Sequence, residues 1–203
     1  MKTKRSAFNL IELTLAIAVV GIGIASIMAL FVPAIDSTKN AIADNYAPDV
    51  VNTFVAYLTA SLKRDNTSWN NGMNSSSSIF YGGKIYKESE PFDTKELENI
   101  TYDPVKEWSP VNNFKGLYTT HTKGVFGVKT EGEEFAGHLC VWVEEIHDLY
   151  NPKTENYQTI PTSGSTPQAV RIYFELSWPA GNPSYETRER RLYSIELFND
   201  NAP

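Results

Sequence analysis

A single cysteine, Cys140, occurs in 203 residues, so no intramolecular disulfide can form. That excludes a small disulfide-stapled secreted domain and leaves stability to an ordinary apolar core. Positive charge is also scarce: 18 Lys and Arg stand against 24 Asp and Glu, a net charge of −6. Phosphate backbones need a basic face, so nucleic acid is not expected as the main partner. Catalytic signatures are missing as well. The chain has no Gly-rich phosphate loop, no nucleophile elbow and no zinc-protease helix motif. No catalytic residue, metal ligand set or cofactor is therefore assigned, and the chain is not expected to be an enzyme.

Charge is absent over one long stretch, and that absence is informative. Leu13 to Ile35 is 23 residues without a charged side chain. At 1.5 Å per residue a helix of this length covers about 35 Å, enough for a hydrocarbon core of about 30 Å. A secretory signal has a shorter apolar region, about 7–15 residues, followed by a small-residue cleavage site. Three basic residues (Lys2, Lys4, Arg5) precede the run, and they favour a cytoplasmic start. One carboxylate, Glu12, sits at its mouth. A charge near the centre of a membrane helix costs roughly 2.5–3.5 kcal/mol even on mild scales, so its presence asks for a functional reason. Gly21, Ala25 and Ala29 are four apart and give one side where a second helix can approach closely.

The helical pattern continues past the apolar run. Ile42, Tyr46, Val50, Val51, Phe54, Val55, Leu58 and Leu62 recur at helical spacing among polar residues, an amphipathic stripe that needs a body to pack on. Pro33 and Pro48 predict bends. Lys63 and Arg64 suit a C-terminus. The expected division is a basic leader (1–7), a membrane or filament-core helix (8–35), the amphipathic half of the same helix (36–64) and a globular α+β head (65–203).

The stretch Ala7-Phe8-Asn9-Leu10-Ile11-Glu12, set between the basic leader and the apolar run, resembles the processing site of type IV prepilins and type II secretion pseudopilins. The resemblance implies cleavage by a prepilin peptidase between Ala7 and Phe8, N-methylation of Phe8, and an assembly role for Glu12. Ala7 stands where the family usually has Gly, and Asn9 where it usually has Thr. The implied fold is pilin-like: a long N-terminal helix packed on a C-terminal antiparallel sheet.

In the body, Ile79 to Tyr86 reads as two short strands about a Gly82-Gly83 hairpin turn. Asp93-Thr-Lys-Glu96 has capping-box spacing and predicts a short helix over 94–99. Residues 65–78 and 148–168 read as polar loops, and 101–123 as irregular. Gly124 to Thr130 is expected to be a strand. Gly137 to His147 alternates, with Leu139, Val141 and Val143 on one face and His138, Cys140, Trp142 and Glu144 on the other. Val170, Ile172, Phe174, Leu176 and Trp178 form a period-2 face with Arg171, Tyr173, Glu175 and Ser177 opposite, which predicts a half-buried antiparallel strand. A return strand over 190–198 completes an antiparallel sheet covering the helix stripe. This closing hairpin is similar to the last one of minor pilins and minor pseudopilins of the PilV or I type.

Other clusters have plainer readings. His138, Cys140, Glu144 and His147 suggest a metal site, but a buried Cys and a surface His explain them more simply. Glu133-Glu134 and Glu144-Glu145 alternate across a strand and read as solvated charge. Ser75–Ser78 reads as a flexible loop, and Asn199-Asp200-Asn201 lacks the ligand density for calcium. Arg188, Arg190 and Arg191 read as a solvated edge. Taken together, the resemblance implies a minor pilin or pseudopilin, a single-pass inner-membrane protein with a periplasmic head that enters a pilus or pseudopilus filament. Its partners would be the prepilin peptidase, other pilin or pseudopilin subunits, the inner-membrane assembly platform and membrane lipid. Loops 65–78 and 148–168 are the expected contact sites for neighbouring subunits or exported substrates. The alternative is an uncleaved, single-pass anchored binding or sensor protein. A major pilin and a secreted enzyme are the remaining rivals.

Overall fold

In the computed structural model, residues 9–74, 77, 79–87, 89–100, 108–111, 113–132, 134–160, 166–182 and 184–200 are described. The chain divides into two compact units, Met1–Asp44 and Asn45–Pro203. The division falls within a helix.

Helix α1 spans Leu10–Leu62, 53 residues, unbroken through Pro33 and Pro48. The Asn9 carbonyl accepts from the Glu12 and Leu13 N–H groups at 3.0 and 3.2 Å, which places Asn9 at the N-cap. At the other end Lys63 N–H donates to the Thr59 carbonyl at 2.9 Å. Asp65 then caps a second helix, α2 (Asn66–Gly72), its carboxylate accepting from Ser68 N–H at 2.6 Å. The loop expected over 65–78 is thus corrected at its start. Polar composition hid an Asp-x-x-Ser cap and one anchoring side chain, Trp69, which is 1% exposed and donates from Nε1 to the Pro167 carbonyl at 2.9 Å. Ser75, Ser76 and Ser78 lie outside the described residues.

The strands are β1 (Ile85–Tyr86), β2 (Ser109–Pro110), β3 (Leu117–Thr119), β4 (Val125–Lys129), β5 (Ala136–Glu145), β6 (Asp148–Asn151), β7 (Asn156–Thr159), β8 (Ala169–Trp178) and β9 (Glu189–Phe198). Seven form one sheet, in the order β2-β3-β4-β5-β8-β9, with β1 pairing β5. Every pair along the main order is antiparallel, and only β1 on β5 is parallel. The fold is α+β, a long N-terminal helix followed by a largely antiparallel sheet, as the resemblance implied.

Three local expectations are corrected. Residues 79–86 do not form a hairpin. Gly82 and Gly83 take positive φ (67° and 63°) in a 3₁₀ turn over Tyr81–Gly83, which turns the chain so that β1 runs parallel to β5. The long loop 148–168 contains a two-stranded hairpin, β6-β7, separate from the main sheet. The short helix at Thr94–Asn99 is present as 3₁₀ turns capped by Asp93, whose carboxylate accepts from Lys95 N–H at 2.9 Å. Of residues 101–123, read as irregular, 101–107 and 112 lie outside the described residues, and the remainder holds β2 and β3, a correction.

Two cores flank the sheet. On one face the buried residues of the amphipathic helix (Ala47, Phe54, Leu58, Leu62) meet the sheet. The Phe54 ring lies 5.4 Å from Phe126 and 5.5 Å from Phe174, centroid to centroid. Burial of Phe54, Leu58 and Leu62 gives roughly 1.5–3 kcal/mol each. The opposite face, expected to be solvated, is covered. Cys140, Trp142 and Val125 pack with Tyr86, Phe92, Leu97, Ile100 and Tyr185 into a second core. β8 is therefore buried on both sides, and even Glu175 and Ser177 are only 9% and 2% exposed. The cover comes from the segment 80–100 and the turn at 185, which carry no periodic signal of their own.

Candidate functional site

Every large apolar side chain described between Leu10 and Ile35 is exposed, from 52% at Ile35 to 77% at Leu10. An apolar surface of this extent needs lipid or other protein to cover it. The helix is long and apolar enough to cross a membrane. Its polar side chains are compatible with hydrocarbon, because Thr14 Oγ1 donates back to the Ile11 carbonyl (3.0 Å) and Ser26 Oγ to the Ile22 carbonyl (2.8 Å). A Cβ added at Gly21 or Gly23 would meet nothing within 4 Å, so the small-residue side is open.

Glu12 stands at the mouth of this segment, at the third helical position. Its Oε2 accepts from Asn9 N–H at 3.2 Å, closing half of a capping box. The carboxylate is thereby turned back toward the helix start, where the positive end of the helix dipole also favours it. Ala7 and Phe8, the expected cleavage and methylation positions, lie outside the described residues, as do Asn201 and Glu133.

The clusters in the head are structural. His138 is buried beside Trp108, with ring centroids 4.4 Å apart, and its Nδ1 lies 2.6 Å from Arg188 Nη1. A guanidinium against the ring nitrogen opposes a cation there. Burial raises the Cys140 thiol well above its ordinary value, first through lost hydration and then through the Glu175 charge, so it stays an unreactive thiol. His147 turns to Glu145 (Nε2 to Oε2, 3.7 Å) and does not join His138. Asp200 Oδ2 pairs with the Lys63 ammonium at 2.6 Å. Glu134 accepts from the Tyr46 hydroxyl.

The basic cluster needs correction. Arg188 is 4% exposed and is not a solvated edge. Its Nε donates to the Asn182 carbonyl at 2.7 Å and its Nη2 to the Ala180 carbonyl at 2.9 Å, tying the β8–β9 turn to β5 through His138. Arg190 and Arg191 are exposed but lie over the rings of Tyr185 (4.5 Å) and Trp178 (5.7 Å). Charge counting along the sequence hides such a role, since a turn that folds back on a strand leaves no local mark. In the expected contact region 148–168, the β6-β7 hairpin exposes Tyr150 (54%) and Tyr157 (74%), paired edge-on at 5.5 Å.

No protein-family model, curated protein or solved structure matches the chain. Fold and site together define an α+β protein whose N-terminal helix is suited to a membrane and carries one carboxylate at its start. That architecture is compatible with a pilin.

Proposed function

We propose that this protein is a prepilin-like structural subunit, a minor pilin or pseudopilin, cut between Ala7 and Phe8 by a prepilin peptidase and N-methylated on Phe8. The observation that carries the reading is Glu12, folded back onto Asn9 N–H at the start of an exposed apolar helical segment. Cleavage before Phe8 creates an ammonium one residue ahead of Asn9, whose N–H this carboxylate already holds. One oxygen keeps the Asn9 amide, and the other accepts from the ammonium of the same or a neighbouring subunit. In an apolar filament core the pair offsets much of a desolvation cost that either charge alone would bear. Glu12 then acts as a register device, since a subunit docks where carboxylate meets amine.

Before assembly the helix holds the protein in the inner membrane with the head on the periplasmic side, and the assembly platform lifts it into a pilus or type II secretion pseudopilus. Intact mass and N-terminal fragmentation of the membrane-extracted protein test this. A chain starting at methylated Phe8 is expected. A chain retaining the leader would favour an uncleaved anchored binding or sensor protein, and a start beyond residue 30 would favour a secreted one.

A further inference from the structure

The two ends of the main sheet are unlike each other. One ends in β2, two residues long and closed by Pro110, which removes a backbone donor. The other ends in β9, ten residues paired to β8 without interruption from Ala169↔Phe198 to Trp178↔Glu189. β9 has no proline, no bulge and no lysine to keep the edge from recruiting a further strand; its charges are Glu189, Arg190, Arg191 and Glu196. Among the described strands none lies beyond it.

The direction of its free backbone groups follows from the ladder. Asn199 N–H donates to the Gln168 carbonyl at 2.8 Å, one step past the last β8–β9 pair. Hydrogen-bonded pairs alternate along an antiparallel ladder, so the amides of Arg191, Tyr193, Ile195 and Leu197 face β8. Those of Arg190, Leu192, Ser194, Glu196 and Phe198 face outward. The same residues leave apolar surface at the edge, with Leu192 57% and Phe198 38% exposed.

We propose that β9 is a docking edge, extended by a strand from a different polypeptide with acidic side chains opposite Arg190 and Arg191 and apolar ones beside Leu192. Unpaired, regularly spaced donors and acceptors select an extended backbone, and alternate side chains then select its sequence. A second copy of β9 fits poorly. The two-fold antiparallel register that sets Arg190 against Glu196 competes with Arg171, which already holds the Glu196 carboxylate at 2.7 and 3.1 Å. Neighbouring two-fold registers place Arg190 against Ser194 or Phe198, and in-register parallel pairing sets arginine beside arginine, which is repulsive. The proposal does not depend on the pilin reading, because an anchored receptor would present the same edge.

The test uses the full-length chain in its own cells, with photoreactive benzoylphenylalanine at Leu192 and a control at exposed Glu186. The expected result is an adduct with another protein, mapped to an extended segment that has Asp or Glu within a few residues of the cross-link. Ser194→Pro removes an outward amide and leaves the ladder to β8 intact, so it should cut the yield about tenfold, while Ser194→Ala leaves it nearly unchanged. If Ser194→Pro does not fold, Arg191→Glu reverses the edge charge and predicts the same loss. The proposal is overturned by an adduct with a second copy or with lipid only. It is equally overturned by no adduct above the Glu186 control, or by a yield that both variants leave unchanged.

Discussion

Glu12 and Glu175 are both carboxylates in costly places, and their surroundings give them opposite roles. Glu12 has an amide and a helix start to hold it, and among the described residues it is exposed. If it docks subunits, Glu12→Val should leave membrane insertion intact and abolish incorporation into filaments. Losing one partner of a buried pair costs about 3–5 kcal/mol. Co-purification of tagged subunits with filaments would show it, and normal incorporation would refute the register role. Glu175 is fixed within the second core. Burial raises its pKa above the ordinary 4.5, against the opposing hydrogen bond from the Tyr185 hydroxyl (2.7 Å) and the Arg190 charge. Tyr185, pushed up to about 12 first by burial and then by Glu175, remains a donor throughout the neutral range. A carboxyl raised in the folded state prefers its proton there, so ionisation weakens the fold. That loss is absent below about pH 4.5 and grows as pH rises through the raised value. Glu175→Gln keeps an acceptor for Tyr185 and removes the charge. Its thermal midpoint relative to wild type should climb between pH 4 and 8, whereas a constant difference would show that Glu175 does not titrate in this way.

Among the elements, α1 was the most legible and β8 the most misleading. The buried positions Phe54, Leu58 and Leu62 fall at helical spacing, so the packed face could be read without a partner in view. Phe54→Ala should destabilise the head by about 3–5 kcal/mol, read as a lower denaturation midpoint of the full chain in detergent. The alternation in β8 correctly gave its strand and the helix-facing side. It could not reveal that Tyr173, Glu175 and Ser177 face a second layer, because a polar residue looks the same whether water or Tyr185 answers it. Residues 80–100 supply that layer through contacts distant in sequence. Gly124 joins the layers: at φ 73°, an added Cβ would collide with the backbone of Phe80 and Tyr81. Gly124→Ala should cost about 1–3 kcal/mol from the backbone conformation alone, with the collision adding to it. Loss of the near-ultraviolet aromatic signal would report the damage to the second core.

At the scale of the whole molecule the chain combines an apolar helical segment open to its surroundings with a head that carries its own cores. Val20→Arg places a charge midway along the apolar run and should raise the cost of insertion by about 2.5–3.5 kcal/mol. The fraction retained in membranes after alkaline extraction measures this, and unchanged retention would show that the segment does not span. The apolar run, the lone Glu12, the helix stripe, the strand periods of β5 and β8 and the return strand β9 were all legible in the primary structure. Each is local in the chain, and the stripe and the strand alternations repeat one residue type at the period of one element. The two-sided burial of β8, the Arg188 cage, the parallel entry of β1 and the open backbone of β9 were settled only by tertiary contacts. Pairing partners and second layers depend on residues far apart in the chain, and water and protein can satisfy the same polar side chain. Glu12 belongs partly to each group: its cost is visible in the sequence, while its turn back onto Asn9 became visible only with the helix built.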